Sequence, residues 1–230
     1  MRLTEIKKGQ VGTGLLVEND GYISVKDNKL VLESVTDNGW NVPYPFEVSA
    51  VFQKYGIENA NGRIYPEHIL KREVEKYMEM IKTDSSFGEL NHPESSTIDL
   101  GRVALKITHF EWKGHTLCGK IVIPVSEGYR KLGIVSCCAD MLAHHILSGM
   151  RVGVSSRGLG SVTKIGDKLV VGDDYEIVCW DAVSTPSTPN AWIETDERKL
   201  GMYVESVEPD NKKKVLSEDK YTKFDKWLFG

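Results

Sequence analysis

Val103-Ala-Leu-Lys-Ile-Thr-His-Phe-Glu-Trp-Lys-Gly-His-Thr-Leu-Cys-Gly-Lys-Ile-Val-Ile-Pro124 is the stretch whose pattern most constrains the architecture. Two β-type segments, residues 103–112 and 115–124, flank Lys113-Gly114, and the whole reads as a β-hairpin. Upstream, residues 46–55 read as a further strand. Asn59-Ala-Asn-Gly-Arg-Ile-Tyr-Pro66 then forms a turn into a helix, with Pro66 suited to its first position. Ile69, Leu70, Val74, Tyr77, Met78 and Ile81 recur at helical spacing, which carries that helix to about Lys82. Residues 83–101 are polar and rich in turn formers, and are expected to be a loop. Downstream, Val135, Met141, Leu142 and Ile146 predict a helix over about 136–147, with Gly149 near its end. Residues 151–155, 169–171 and 175–183 read as strands.

The ends of the chain are less ordered in pattern. Residues 1–45 hold short β-type pieces (14–17, 22–25, 29–32) broken by Asn-Asp-Gly and Asp-Asn-Gly. Residues 201–230 are charged and polar, include Lys212-Lys213-Lys214, and read as a tail. The expected organisation is therefore an N-terminal region (1–45), one domain (46–200) and the tail (201–230). Many strands and few helices make the domain α+β, a mainly β core with helices packed on it.

The chain has 230 residues, 40% hydrophobic and 27% charged, enough to bury a sizeable core and too apolar for wholesale disorder. Its 29 basic and 33 acidic residues give a net charge of −4, which argues against a nucleic-acid partner. No apolar run approaches the roughly 20 residues of a membrane span. Met1-Arg-Leu-Thr-Glu-Ile-Lys-Lys8 lacks the apolar centre of a secretory signal. Four cysteines (Cys118, Cys137, Cys138, Cys179) are too few for a disulfide scaffold, and the expectation is reduced thiols in a cytoplasm.

Three stretches place reactive side chains in unusual surroundings. In Gly88-Glu-Leu-Asn-His-Pro93, His92 precedes a proline and so favours extended backbone at a loop–strand junction. A plain surface histidine is the competing reading. In Gly153-Val-Ser-Ser-Arg-Gly-Leu-Gly160, two hydroxyls end an apolar strand and meet what reads as a Gly-rich turn. Backbone N–H groups in such a turn can approach an oxyanion. It is not a Gly-x-Ser-x-Gly elbow, because Arg157 stands two residues after Ser155. A simple strand and turn is the alternative. In Tyr175-Glu-Ile-Val-Cys-Trp-Asp-Ala-Val183, alternation puts Asp181 on a face with Tyr175, Ile177, Cys179 and Val183. A carboxylate there needs a partner, and an imidazole N–H suits it. A solvated Asp181 on the outer face is the other option. One His, one Ser and one part-buried Asp meet the requirements of a serine hydrolase, and triads occur in many chain orders.

At these stretches the chain resembles the prohead core proteases of T-even-type tailed phages, serine endopeptidases similar to the herpesvirus assembly proteases. The resemblance rests on Asn61-Gly-Arg-Ile-Tyr-Pro66, Gly88-Glu-Leu-Asn-His-Pro93, Glu111-Trp-Lys-Gly114, Gly153-Val-Ser-Ser-Arg-Gly-Leu-Gly160, Asp181-Ala-Val183, Pro186-Ser187 and Asn190-Ala-Trp192. It implies an antiparallel β-barrel, closed or nearly so, flanked by helices as in the herpesvirus proteases. It implies a capsid-maturation enzyme inside the prohead core, in the host cytoplasm, that cleaves scaffold, core and major capsid proteins and then itself. The alternative is a non-catalytic scaffold protein of the same fold. By the resemblance, His92 is the base, Asp181 the acidic member and Ser155 the nucleophile, with Ser156 the competitor. Ser156, Arg157 and Gly158 would hold the oxyanion and contact substrate.

The resemblance also implies cleavage after glutamate in Leu/Ile-x-Glu. Leu3-Thr-Glu5, Leu16-Val-Glu18 and Leu216-Ser-Glu218 fit, and Glu5 and Glu218 are the candidate self-cleavage sites. Arg102, Arg151 and Arg157 are candidates, by charge, to read that glutamate. No cofactor or metal is expected. A zinc module from Cys137, Cys138, His144 and His145 is disfavoured, since two helical turns span about 10 Å. Ser161-Val-Thr-Lys164 imitates Ser-x-x-Lys but lacks its partner motifs and reads as a strand turn. Whether the chain acts alone or as a homo-oligomer is not encoded in these patterns.

Overall fold

The computed structural model describes residues 11–17 and 42–195. In chain order these form β1 (Gly12–Val17), β2 (Phe46–Lys54), β3 (Arg63–Ile64), α1 (Glu67–Lys82) and β4 (Phe87–Glu89). A 3-10 turn (Leu100–Arg102) leads into β5 (Val103–Lys113), β6 (Thr116–Ile123), α2 (Glu127–Leu132) and α3 (Cys138–Leu147). The chain then enters β7 (Gly153–Ile165), β8 (Lys168–Val171), β9 (Glu176–Val183) and β10 (Ile193–Glu194). The α+β class holds.

The strands form two five-stranded sheets rather than one closed barrel. One runs β1-β7-β8-β3 with β9 also on β7; the other runs β10-β2-β6-β5-β4. Every pairing is antiparallel except the short β3–β8 pair. The sheets meet along two seams, each held by a single bridge: Leu90 to Ala182 and Gly153 to Trp192. The main core lies between them. It takes Val48, Phe52, Phe110 and Ile121 from one sheet and Val154, Trp180 and Ala182 from the other. Tyr77 of α1 and Leu142 of α3 close it. Trp180 meets Phe52, Phe110 and Tyr77 edge-on at centroid separations of 5.9, 5.1 and 4.9 Å, arrangements that add to burial in fixing β9.

The 103–124 hairpin forms where its pattern places it. Pro66 stands one position earlier than expected, as the N-cap of α1 with ψ 144. The 83–101 loop contains β4, too short for alternation to reveal. The helix α2 was also missed; Ser126 caps it by accepting the Tyr129 N–H.

The largest revision concerns the Gly-rich segment after Ser155. It is not a turn: β7 runs unbroken through Arg157, Gly158, Gly160 and Ser161–Lys164. The glycines serve close approach. A Cβ on Gly158 would lie 2.5 Å from the ring of Tyr175, and one on Gly160 would lie 2.9 Å from its Cα. No helix among the described residues is long and apolar enough to cross a membrane. The expected β pieces at 22–25 and 29–32, the tail, and Glu5, Glu18 and Glu218 lie outside the described residues.

Candidate active site

The site is assembled at the Leu90–Ala182 seam. β7 and β9 pair so that Val154 faces Ala182, Ser155 faces Asp181, Ser156 faces Trp180 and Arg157 faces Cys179. Directly opposed residues share a sheet face. Val154, Ala182 and Trp180 are core, so Ser155, Arg157, Cys179 and Asp181 share the opposite face. Strand parity thus separates the two hydroxyls: Ser156 lies on the Trp180 side and Ser155 directly across from Asp181.

The imidazole comes from the other sheet. β4 ends at Glu89, and Asn91 adopts φ 65, a left-handed conformation that Asn tolerates better than most residues. Its N–H donates to Ala182 O at 2.8 Å, which delivers the next residue beside Asp181. His92 Nδ1 stands 2.7 Å from Asp181 Oδ2, and both side chains are fully buried. An ionised carboxylate only accepts, so Nδ1 carries the proton and the neutral ring keeps its lone pair on Nε2. Nε2 makes no hydrogen bond of its own.

Asp181 is heavily satisfied. Oδ1 accepts the Glu89 N–H at 2.8 Å, and Oδ2 also accepts Arg157 Nε at 3.0 Å. Burial opposes its ionisation. The hydrogen bond from His92, with its positive charge when the ring is protonated, the Arg157 guanidinium and the Glu89 N–H outweigh that and hold the carboxyl below its usual range. Cys179 Sγ lies 3.1 Å from Asp181 Oδ1, and burial beside that carboxylate pushes its thiol well up, so it stays protonated.

Arg157 departs from its expected role. Its side chain is fully buried and spent on Asp181, on Glu89 Oε1 (3.1 Å) and on Ser95 O (2.7 Å), not on an oxyanion. Gly158 is also displaced from that role. Val154 N–H donates to Ala191 O, and alternation along the strand sends the N–H groups of Ser156 and Gly158 to the same edge. At Gly158 that edge is occupied by Leu16 of β1. Among the described residues the pairing with β1 ends at Val17–Arg157, one position short of Ser156.

Glu89 is the functional candidate that motif reading passed over. It lies inside the quoted Gly88–Pro93 stretch and is 0% exposed. Its signal was indirect: an arginine inside an apolar strand, Arg157, demands a buried anion. Arg102 is likewise committed, to Glu89 Oε2 and Leu90 O. Arg151 lies over the ring of Trp192 at 4.1 Å and lines a cleft of about 460 Å³ with Asn59, Ser187 and Asn190. The Gly153–Trp192 bridge sets that cleft two residues before Ser155. Cys137, Cys138, His144 and His145 are not gathered: Cys137 caps α3 while Cys138 reaches toward Gly101 O at 3.8 Å. No group of three or more potential metal ligands occurs among the described residues.

The two sheets thus bring a buried His–Asp pair to their seam and set a serine opposite the acid on the neighbouring strand. Residues 14–200 match the prohead core protein serine protease family, and the chain belongs to that family. It is 34% identical over 187 residues to the prohead core protein protease of Enterobacteria phage T4, covering 80% of this chain and 84% of the relative. The fold is similar to the solved structure of the bacteriophage T4 capsid assembly protease, gp21. There the TM-score is 0.54 at 29% identity, over 60% of this chain and 80% of the other.

Proposed function

We propose that this protein is a serine endopeptidase of capsid maturation, acting inside the prohead on core and capsid proteins, with Ser155 as nucleophile, His92 as general base and Asp181 as the acid that orients it. The observation that carries this reading is the buried 2.7 Å His92–Asp181 contact with Ser155 directly across the sheet from the acid. His92 Nε2, the nitrogen left with the lone pair, takes the Ser155 proton as the hydroxyl oxygen attacks the scissile carbonyl. The imidazolium then donates that proton to the leaving amine. Asp181 holds the tautomer and stabilises the charge without taking the proton. The Ser156 N–H, which follows the nucleophile in the chain, is the backbone donor for the oxyanion. The Ser155–His92 hydrogen bond is absent here, and in free enzymes such bonds commonly tighten only with substrate.

Arg151, which lines the cleft beside the start of β7, takes the acidic side chain of a substrate cut after glutamate. Glu5 and Glu218 are the self-processing sites. The paired sheets, bridged at both seams, support kinship with the herpesvirus-type barrel. The test is labelling with a serine-directed fluorophosphonate, together with intact mass of wild type and Ser155→Ala. Adduct on Ser155, and trimming at Glu5 or Glu218 in the wild type alone, are expected. Adduct on Ser156, or trimming in both proteins, would overturn the assignment.

A further inference from the structure

The guanidinium beneath the His–Asp pair has every donor engaged. Arg157 Nε meets Asp181 Oδ2 (3.0 Å), Nη2 meets Glu89 Oε1 (3.1 Å), Cys179 Sγ (3.1 Å) and Asp181 Oδ1 (3.4 Å), and Nη1 meets Ser95 O (2.7 Å). Glu89 in turn accepts the Asp99 N–H at Oε1 (2.9 Å) and Arg102 Nε at Oε2 (3.2 Å). One cation therefore ties the acid on β9, the end of β4, and the loop three residues beyond His92.

The charge arithmetic gives each member a distinct task. Asp181 with Arg157 alone sums to zero, so the guanidinium offsets much of the field that the carboxylate presents to a forming imidazolium. Glu89 adds a second buried negative charge and returns the local sum to −1. Arg102, partly exposed, neutralises Glu89 only through a screened interaction. The other titratable groups packed here are Cys179 on β9 and Tyr77 on α1. Burial raises both well above their ordinary range, so neither ionises near neutrality.

We propose that Glu89 and Arg157 are positioning residues for catalysis: Arg157 fixes the Asp181 carboxylate and the His92 loop, and Glu89 offsets the charge of Arg157 so that His92 still senses a net anion. This rests on His92 being the base. It leads to shifts of opposite sign. Glu89→Gln removes a negative charge and makes the imidazolium less stable, so the His92 titration midpoint falls. Arg157→Met removes a positive charge and the midpoint rises.

The experiment is an NMR titration of the His92 ring in both variants and wild type, with the rate of fluorophosphonate labelling against pH measured in parallel. Opposite midpoint shifts are expected, together with labelling slowed on the order of tenfold in Glu89→Gln. Shifts of the same sign, or an unmoved midpoint in Glu89→Gln, overturn the proposal. If Arg157→Met does not fold, Glu89→Gln decides alone, since that amide keeps the carboxylate's shape. The ring titration does not depend on which serine attacks. An error in the nucleophile would show as unlabelled Ser155 with the midpoint shifts intact.

Discussion

His92 reaches Asp181 because Asn91 holds a left-handed backbone and donates its N–H to Ala182. Replacing it by a β-branched residue makes that conformation costly. Asn91→Val is expected to lose about 1–2 kcal/mol of stability and on the order of 10²-fold in peptidase rate through misplacement of the ring. Asn91→Gly should keep most of both. Urea melts and labelling rates on the two variants check this. Asp181 adds a pH signature. Its pKa is depressed by folding, so its contribution is full above about pH 4, the unfolded range. It is lost as pH falls through the lower folded value. Denaturation midpoints of wild type and Asp181→Asn should differ most near neutrality and converge in acid. At this scale the sequence was informative: His92, Ser155 and Asp181 could be read as a candidate set. Glu89 could not, because its importance depends on an arginine 68 positions away.

Among the elements, β7 shows where local reading fails. Gly158 and Gly160 are common turn residues, yet here the ring and backbone of Tyr175 cross their strand. That is a tertiary reason, invisible to any short window. Gly158→Ala should cost about 1–3 kcal/mol by driving a methyl into a fully buried ring, measurable as a lowered thermal midpoint. Asp140 fastens the two helices on the other side of the core. It accepts the N–H groups and hydroxyls of Ser126 and Ser136. Although burial works against its charge, those donors bring its pKa down to about 2. Asp140→Ala is expected to destabilise by about 2–3 kcal/mol. The wild type should lose that advantage as acid is taken from about pH 4 toward pH 2, followed by far-UV CD. Both α2 and β4 escaped the sequence because six and three residues carry too little periodicity to register.

For the molecule as a whole, hairpins and long periodic segments were legible, since they are decided by neighbours in the chain. The division of the strands into two sheets was not, because it is decided at the seams. Gly88 marks the seam that matters most. A Cβ there would stand 2.1 Å from Trp180 O and 2.7 Å from Leu105 Cδ1, and a backbone carbonyl cannot step aside as a flexible side chain can. Gly88→Ala is expected to cost about 3 kcal/mol or more and to abolish labelling of the active serine even in the fraction that remains folded, readable by labelling below the melting transition. His92 and Asp181 arrive on different sheets, joined at that edge by one bridge. A chain with only one sheet complete cannot bring the imidazole of His92 against the carboxylate of Asp181. The His92–Asp181 contact is thus a property of the docked pair of sheets and of neither sheet alone.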